Sequence, residues 1–434
     1  MERKYTSEID GTEDEVKVEG WLREKRDLGK IKFLVLADRK GEIQVTVKGD
    51  ESSKEILEKV DGIPRESVIS VEGQVQESEQ APGGREVLPK RLEILNESKK
   101  PLPLDPRGKQ EANLATRLDN RFMDLRKQEK RAIFEVRSAA CQGAREWFDE
   151  NDFLEIHTPK ITVSGTEGGA EVFPIIYYER EAFLVQSAQL YKQLMQAGGA
   201  ERVYEITPQW RAEKSRTPRH VTESWSVDME MSFIQDEEDV MEVQEKVMRA
   251  MAEKVKEGAS KQLEKLDAEV KVPELPLKRL TYDEALEIAS EEGEEIEWGE
   301  DINIKAMRRI AERLEEQGDD FYFIKRWPSS EKAFYYRPEP SDKKYSRTFD
   351  LNYRSWELSS GGQRIHDLEL LKERIENQGM DPSNMEFYLD AFRYGMPPHG
   401  GFGLGLDRFV SGILGLKNIQ ESILFPRTPD RLEP

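Results

Sequence analysis

Near its C-terminus the chain reads HGGFGLGLDRFVSGILGL, with glycines on alternate residues (Gly401, Gly403, Gly405), then Asp407 and Arg408, running into an apolar helical pattern. Alternate residues of an extended segment share a face, so the three glycines leave one side of the backbone bare and a flat ligand can lie against it. Arg408 stands at the helix entry, where a planar guanidinium can stack on an aromatic ring or meet a phosphate. A dinucleotide fingerprint would open a βαβ unit with an acid about 20 residues further on, and this segment instead sits close to the chain end. Upstream, RVYEITPQWRAEKSRTPRHVTESWSVDMEMSF (202–233) has an extended pattern interrupted by a basic loop, with Trp210, Arg211 and Glu213 before the loop. Further upstream, EKRAIFEVRSAACQGAREWFDENDFLEIHTPKI has apolar residues at helical spacing, then a short strand reaching Pro159.

These segments resemble, in the required order, motifs 1 (about 129–160), 2 (about 202–233) and 3 (about 400–416) of the class II aminoacyl-tRNA synthetases. GTEGGAEVFP, QSAQLYKQ, SVDMEMSF and ELSSGGQR are similar to the aspartyl-tRNA synthetases in their shorter archaeal and eukaryotic form, and the resemblance covers essentially all 434 residues. It implies a ligase that joins L-aspartate to ATP as aspartyl-adenylate and passes it to tRNA(Asp), with tRNA(Asn) as a second acceptor. The alternatives are an asparaginyl-tRNA synthetase, a synthetase-derived tRNA-binding protein without ligase activity, and a ligase relative making free asparagine or an aminoacyl compound without tRNA; relatives of the last kind typically lack an N-terminal barrel.

The resemblance also assigns roles. Arg211 bridges the amino-acid carboxylate and the α-phosphate, Glu213 orients the adenine amino group, and Phe233 and Arg408 sandwich the base. Arg219 and His220 hold the β,γ-phosphates, with Gly403 and Gly405 beneath the nucleotide. Asp350, Glu357 and Ser360 coordinate Mg²⁺, which suits an ion that takes few carboxylates plus substrate oxygens, and Glu357 also belongs to the ATP site. Lys192 and Arg364, with Ser360 nearby, meet the aspartate side chain, a cationic pair poorly satisfied by a neutral amide. Asp228 and Glu167, helped by Gln189 and Ser187, take the ammonium group. The asparagine enzymes usually have Glu where Asp228 stands and lack this lysine. Departures from the family pattern are Trp210 for Phe, Ala188 for Pro, Ala170 for Thr, Ile365 for Glu and the loop KSRTPRH; none removes a catalytic group.

The first hundred residues alternate in short β-branched runs separated by turn residues, which matches a five-strand OB barrel. Such barrels bind single-stranded nucleic acid on aromatic platforms. In the family, equivalents of Arg26, Phe33, Gln44 and Glu86 surround the anticodon, and two positions that tune the choice between aspartate and asparagine tRNAs correspond to Arg23 and Pro82. Ala37 stands where relatives commonly have arginine. Neither Arg23 nor Pro82 is the bulky aromatic or lysine of strict enzymes, and proline offers no side-chain donor, which implies a relaxed enzyme. PLPLDPRGK makes a semi-rigid hinge. The expected organisation is therefore an OB domain over 1–100, a hinge over 101–118 and, over 119–434, an antiparallel sheet flanked by helices, dimerising through motif 1.

Composition limits the remaining classes. Charged residues make up 35% of the chain, and no apolar run approaches the ~20 residues of a membrane span. MERKYTSEIDGTEDE has no apolar signal core, and the single cysteine, Cys141, excludes an intrachain disulfide; both fit a cytoplasmic protein. Four scattered histidines and one cysteine make no zinc cluster. The net charge of −21 is unusual for a tRNA binder. Residues 1–100 hold 19 Lys plus Arg against 23 Asp plus Glu, a net of −4, which leaves −17 for the rest. Runs such as EEGEEIEWGED are solvated surface, and local basic patches must serve the tRNA.

Overall fold

The alternation of the first hundred residues is realised as five strands: β1 (Glu15–Asp27), β2 (Ile31–Ala37), β3 (Glu42–Lys48), β4 (Val68–Glu77) and β5 (Arg85–Asn96). They close a barrel in the order β1-β2-β3-β5-β4, antiparallel except for the β3–β5 closure. Inward residues such as Val18, Leu34, Leu36, Val45, Val71 and Val87 are buried to completion, and the residues between them face outward. A helix, Lys54–Gly62, connects β3 to β4; Ser53 caps it by accepting from Ile56 N–H, and Ile56 and Val60 plug the core.

The computed structural model describes residues 1–163 and 171–434. Its described residues cluster into two compact units, Met1–Lys127 and Gln128–Pro434. The segment read as a hinge, 101–118, lies inside the first unit, as do two short helices, Leu114–Asp119 and Arg121–Asp124.

The second unit is built on strands β6 (Leu154–Glu155), β10 (Arg202–Trp210), β11 (Glu223–Ser232), β12 (Lys278–Thr281), β13 (Phe321–Lys325), β14 (Thr348–Tyr353), β15 (Trp356–Gln363) and β16 (His399–Gly405), with β7 (Ile161–Thr162), β8 (Pro174–Tyr177) and β9 (Arg180–Leu184) forming a separate small sheet. The large sheet runs β12-β13-β14-β15-β16-β11-β10-β6. Its six central strands are antiparallel, and only the edge pairs β12–β13 and β6–β10 are parallel. Two long helices, Gln128–Glu150 and Glu237–Gly258, contribute Val136, Ala140, Val247 and Met251 to a core that also takes Val227, Met229, Phe402 and Leu404 from β11 and β16. Since strand side chains alternate, Asp228 and Glu230 on β11 and Gly401, Gly403 and Gly405 on β16 project from the opposite face. No helix is long and apolar enough to cross a membrane among the described residues.

Candidate active site

That open face carries a cleft of about 410 Å³ floored by β10, β11, β15 and β16. Arg211, Glu213, Arg219 and His220, from the end of β10 and the loop after it, line it together with Arg408, Glu357 and Ser360. Ser187, Gln189, Asp228 and Arg364 also line it, with Gly403 and Gly405 between. The structure thus gathers in one concavity residues more than 200 positions apart in the chain.

Glycine does two jobs on β16. A Cβ on Gly401 would lie 2.0 Å from Met229 O and 2.4 Å from Glu230 Oε2, so this glycine makes room for its neighbouring strand and not for a ligand. Gly403 and Gly405 do line the cleft, and a Cβ on Gly403 would come 3.1 Å from Asp228 Oδ1. The bare face read from three glycines is therefore offered by two.

The amino-acid end is a buried ionic cluster. Lys192 Nζ donates to Asp228 Oδ1 (2.9 Å), Phe402 O (3.2 Å) and Met229 O (3.3 Å), with Glu230 Oε2 at 3.6 Å. All three ammonium protons are used and Lys192 is fully buried off the cleft wall, so, contrary to the expectation that it meets the aspartate side chain, it reaches the cleft only through Asp228. Asp228 Oδ2 accepts from Gln209 Nε2 at 2.8 Å. Arg364 donates from Nε to Glu230 Oε1 (2.9 Å) and from Nη2 to Gln189 Oε1 (3.0 Å) and Gly401 O (2.9 Å), over the rings of Tyr335 and Tyr336. Its Nη1 is buried without a hydrogen-bond partner. Burial raises the Glu230 carboxyl, but Arg364 and Lys192 outweigh it and hold it below its ordinary range. Glu230 was not singled out in the sequence; two residues beyond Asp228 on one strand, it shares that face, and the alternation alone could have marked it.

At the other end Arg408 Nη1 donates to Glu357 O (3.0 Å) and approaches Glu357 Oε1 (3.3 Å). Arg211 Nη1 lies 3.7 Å from Glu213 Oε1. His220 Nδ1 meets Thr217 Oγ1 at 2.5 Å, and burial keeps its imidazole below the ordinary histidine range against the pull of Glu213. Partial desolvation raises the Glu357 carboxyl, which is 48% exposed, yet the nearby Arg408, Lys332 and Arg211 prevail and lower it. Asp350 is the converse: burial raises it, and Lys332, 3.0 Å from its Oδ2, compensates only in part.

Asp350 Oδ1 is buried and unpartnered, Asp350 pairs across the strands with Ser360, and Ser360 Oγ is 3.5 Å from Glu357 Oε1. An orphan carboxylate oxygen beside a second acid and a hydroxyl fits a hard cation completed by substrate oxygens. Among the described residues no group of three or more His, Cys, Asp and Glu could hold a metal without such help. Lys332, in the loop after β13, carried no periodic signal in the sequence.

Phe233 requires correction. It follows β11 at the end remote from Gly405, has φ +60°, is 69% exposed and does not line the cleft, so it cannot cover an adenine there. Ser224, Ser226 and Trp225 line that part of the cleft instead. Glu167 lies outside the described residues.

On the barrel, Arg26, Phe33 and Thr46 are cross-strand neighbours on β1, β2 and β3, and Gln44 pairs with Glu86. Phe33 is half-buried and outside the barrel core, Arg26 is exposed, and Glu86 Oε2 accepts from Gln44 Nε2 (2.9 Å) and Thr46 Oγ1 (2.6 Å). Arg23 is different. Its guanidinium is buried, bonded to both oxygens of Glu66 (2.8 and 2.7 Å) and to Arg126 O (2.6 Å), so it has no free edge for a base, contrary to the sequence expectation. Pro82 opens a single turn, Pro82–Gly84, before β5.

A model of the tRNA synthetases class II (D, K and N) matches residues 113–429, and one of the OB-fold nucleic acid binding domain matches 16–95. The cleft and sheet are thus those of a class II aminoacyl-tRNA synthetase. Among curated relatives, the aspartate–tRNA(Asp/Asn) ligase of Methanopyrus kandleri is 50% identical over 99% of both chains, and the aspartate–tRNA(Asp) ligase of Thermococcus kodakarensis is 48% identical over 99% of this chain and 98% of its own. Among solved structures, the asparaginyl-tRNA synthetase of Pyrococcus horikoshii with asparaginyl-adenylate superposes with TM-score 0.93 at 35% identity over 100% of both chains. An aspartyl-tRNA synthetase, described as putative, from Leishmania major Friedlin gives TM-score 0.91 at 31% identity over 100% of this chain and 95% of that one. Within the class, the chain belongs to the aspartate–tRNA ligase family.

Proposed function

We propose that this chain activates L-aspartate with ATP in the cleft and transfers it to tRNA(Asp) and also to tRNA(Asn), acting in the cytoplasm as a homodimer with Mg²⁺. The observation that carries the amino-acid assignment is the buried, unpartnered Nη1 of Arg364. A donor left unsatisfied in a closed site is costly, and a carboxylate oxygen from the substrate satisfies it. Asparagine would turn either its amide NH₂, a donor, toward a donor or its weaker carbonyl acceptor toward a full cation. Asp228, on the cleft wall, takes the ammonium, and its existing bond to Lys192 keeps that carboxylate oriented.

An oxygen of the aspartate α-carboxylate attacks the α-phosphorus, forming the mixed anhydride as the bond to pyrophosphate breaks. Two anions must meet, so the protein's work is positioning and charge neutralisation. Arg211 bridges carboxylate and α-phosphate, Glu213 accepts from the adenine amino group, Arg408 covers the base, and Arg219 and His220 hold the leaving pyrophosphate. Asp350, Glu357 and Ser360 would hold the magnesium, which when bound neutralises phosphate charge. On the barrel, Phe33 stacks on an anticodon base while Arg26, Gln44 and Glu86 read its neighbours.

Charging of tRNA(Asn) is supported by the absence at Arg23 and Pro82 of the residues strict enzymes use. Some relatives carry the double name and others the single one. Pyrophosphate exchange with ATP should depend on L-aspartate and Mg²⁺, and purified tRNA(Asp) and tRNA(Asn) assayed side by side should both be aspartylated. Exchange with asparagine alone would overturn the assignment, and tRNA(Asn) left uncharged would restrict it to tRNA(Asp).

A further inference from the structure

Arg219 is a cation held without an acid. Its Nη1 donates to Ser355 O at 2.7 Å and its Nη2 to Ser355 Oγ at 3.0 Å, while its Cζ lies 4.5 Å from the centre of the Trp356 ring. Among the described residues it forms no ion pair with an acid, unlike Arg408, which leans on Glu357. Burial, with the like charges of Arg308 and Arg408, lowers its pKa from the ordinary arginine value. Neutral partners orient a guanidinium without cancelling its charge, so its attraction for an anion is retained.

The turn that provides those partners is itself fixed from behind. Arg354, at φ +51°, donates from Nε to Asp320 Oδ1 (3.1 Å) and from its backbone N–H to Asp320 O (2.7 Å), and Tyr322 OH donates to Arg354 O (2.9 Å). Trp356 packs partly against the main core. Ser355 and Trp356 thus stand on a braced turn, whereas Arg219 comes from the loop between β10 and β11 and depends on them for its place.

We infer that the Ser355–Trp356 turn is a positioning element for the polyphosphate end of ATP: it docks Arg219 as an uncompensated cation facing the β,γ-phosphates. This rests on reading the cleft as an ATP site, and it adds two residues to which no role in the reaction is otherwise assigned. The consequence is selective. Losing the cradle weakens ligands that carry the outer phosphates and spares those that end at the α-phosphate.

The test measures equilibrium binding of Mg·ATP and of AMP to the full chain. Trp356→Leu should weaken ATP about fivefold, in line with loss of a partly desolvated cation–π contact, and leave AMP unchanged. Trp356→Phe should recover most of the loss, and adding Trp356→Leu to Arg219→Ala should cost nothing further. Ser355→Ala, a substitution too small to unsettle the fold, should shift the ATP-to-AMP ratio in the same direction by about twofold. An unchanged ratio in Trp356→Leu and Ser355→Ala, with Arg219→Ala still losing ATP, would refute the cradle and leave the phosphate role of Arg219 standing. Should Arg219→Ala also leave the ratio unchanged, both fall; if even the unmodified chain binds no ATP, the reading of the cleft falls with them.

Discussion

Lys192, Arg364, Asp228 and Glu230 form a cluster of two cations and two anions with almost no access to water. Its formal charge is balanced before any substrate arrives, so removing one cation changes the pocket's sign. Lys192→Met leaves two buried acids facing Arg364 alone, and an incoming aspartate side chain then meets a net negative site. Breaking a buried pair on one side commonly costs about 3–5 kcal/mol, part of which appears as lost stability. We expect the KM for aspartate to rise at least about tenfold while the KM for ATP changes little, read by exchange kinetics on variant that remains folded by circular dichroism. Equal effects on both substrates would show that Lys192 does not set the charge of the amino-acid pocket. His399, buried near the same cluster, gives a pH dependence. Its Nε2 accepts from Gln193 Nε2 at 2.7 Å, and its Nδ1–H donates to Pro397 O at 2.8 Å, so the neutral ring is satisfied. Burial pushes its pKa down to about 4 from 6.5. An unfolded histidine therefore takes a proton before the folded one does. Stability linked to the neutral ring is whole above pH 6.5 and is lost as pH falls toward 4, a contribution of about 3 kcal/mol. Comparing thermal unfolding at pH 7 and pH 4.5, the wild type should lose more than His399→Gln; identical losses would show that His399 does not govern this window.

At the scale of elements, the strands decide what the cleft contains. Much of this was legible in the sequence, because Asp228, Gly403 and Gly405 sit in extended runs whose alternation sends them to one face, and β10, β11 and β16 pair as that alternation requires. What was not legible depends on where a strand stops or on which partner claims a side chain. Phe233 lies one residue beyond β11, on backbone turned to φ +60°, where strand periodicity no longer applies. Arg23 sits where the β1–β2 register breaks between Leu22 and Glu24, so alternation does not predict its side, and only the tertiary fold shows Glu66 closing on it. Gly401 obeys the alternation and still serves packing, because its neighbour on β11 carries the long Glu230 side chain. The barrel offers a test at this scale, since its outward row of Arg26, Phe33 and Thr46 belongs to the first compact unit and the cleft residues to the second. Phe33→Ala should leave aspartate-dependent exchange unchanged and raise the KM for tRNA by about tenfold or more, the range for losing one base stack. Unaltered tRNA kinetics would assign Phe33 to the barrel surface only.

For the whole molecule, charge and exposed apolar surface pull in different directions. A net charge of −21 keeps copies of the chain apart at long range, and at physiological salt that repulsion is screened within about 8 Å. Short-range burial can then prevail wherever apolar side chains gather outside the core. The small sheet of β7, β8 and β9, just after Pro159, is such a place: Ile161 is 43% exposed, Val163 63%, Ile176 89% and Tyr178 84%. Large apolar side chains grouped at this exposure mark an association surface. A second copy of the chain is the partner that motif 1 implies, and a two-fold interface would set this sheet, or the helix before it, against its equivalent. Light scattering at concentrations where exchange is measured should therefore give twice the 50.2 kDa chain mass. Because each contact of a two-fold interface occurs twice, a charge placed there is felt twice, so Ile176→Asp should shift the mass toward the monomer while the isolated chain keeps its helical signal. A monomeric mass for the active unmodified protein would refute the dimer, and a dimer unaffected by Ile176→Asp would move the interface away from this sheet.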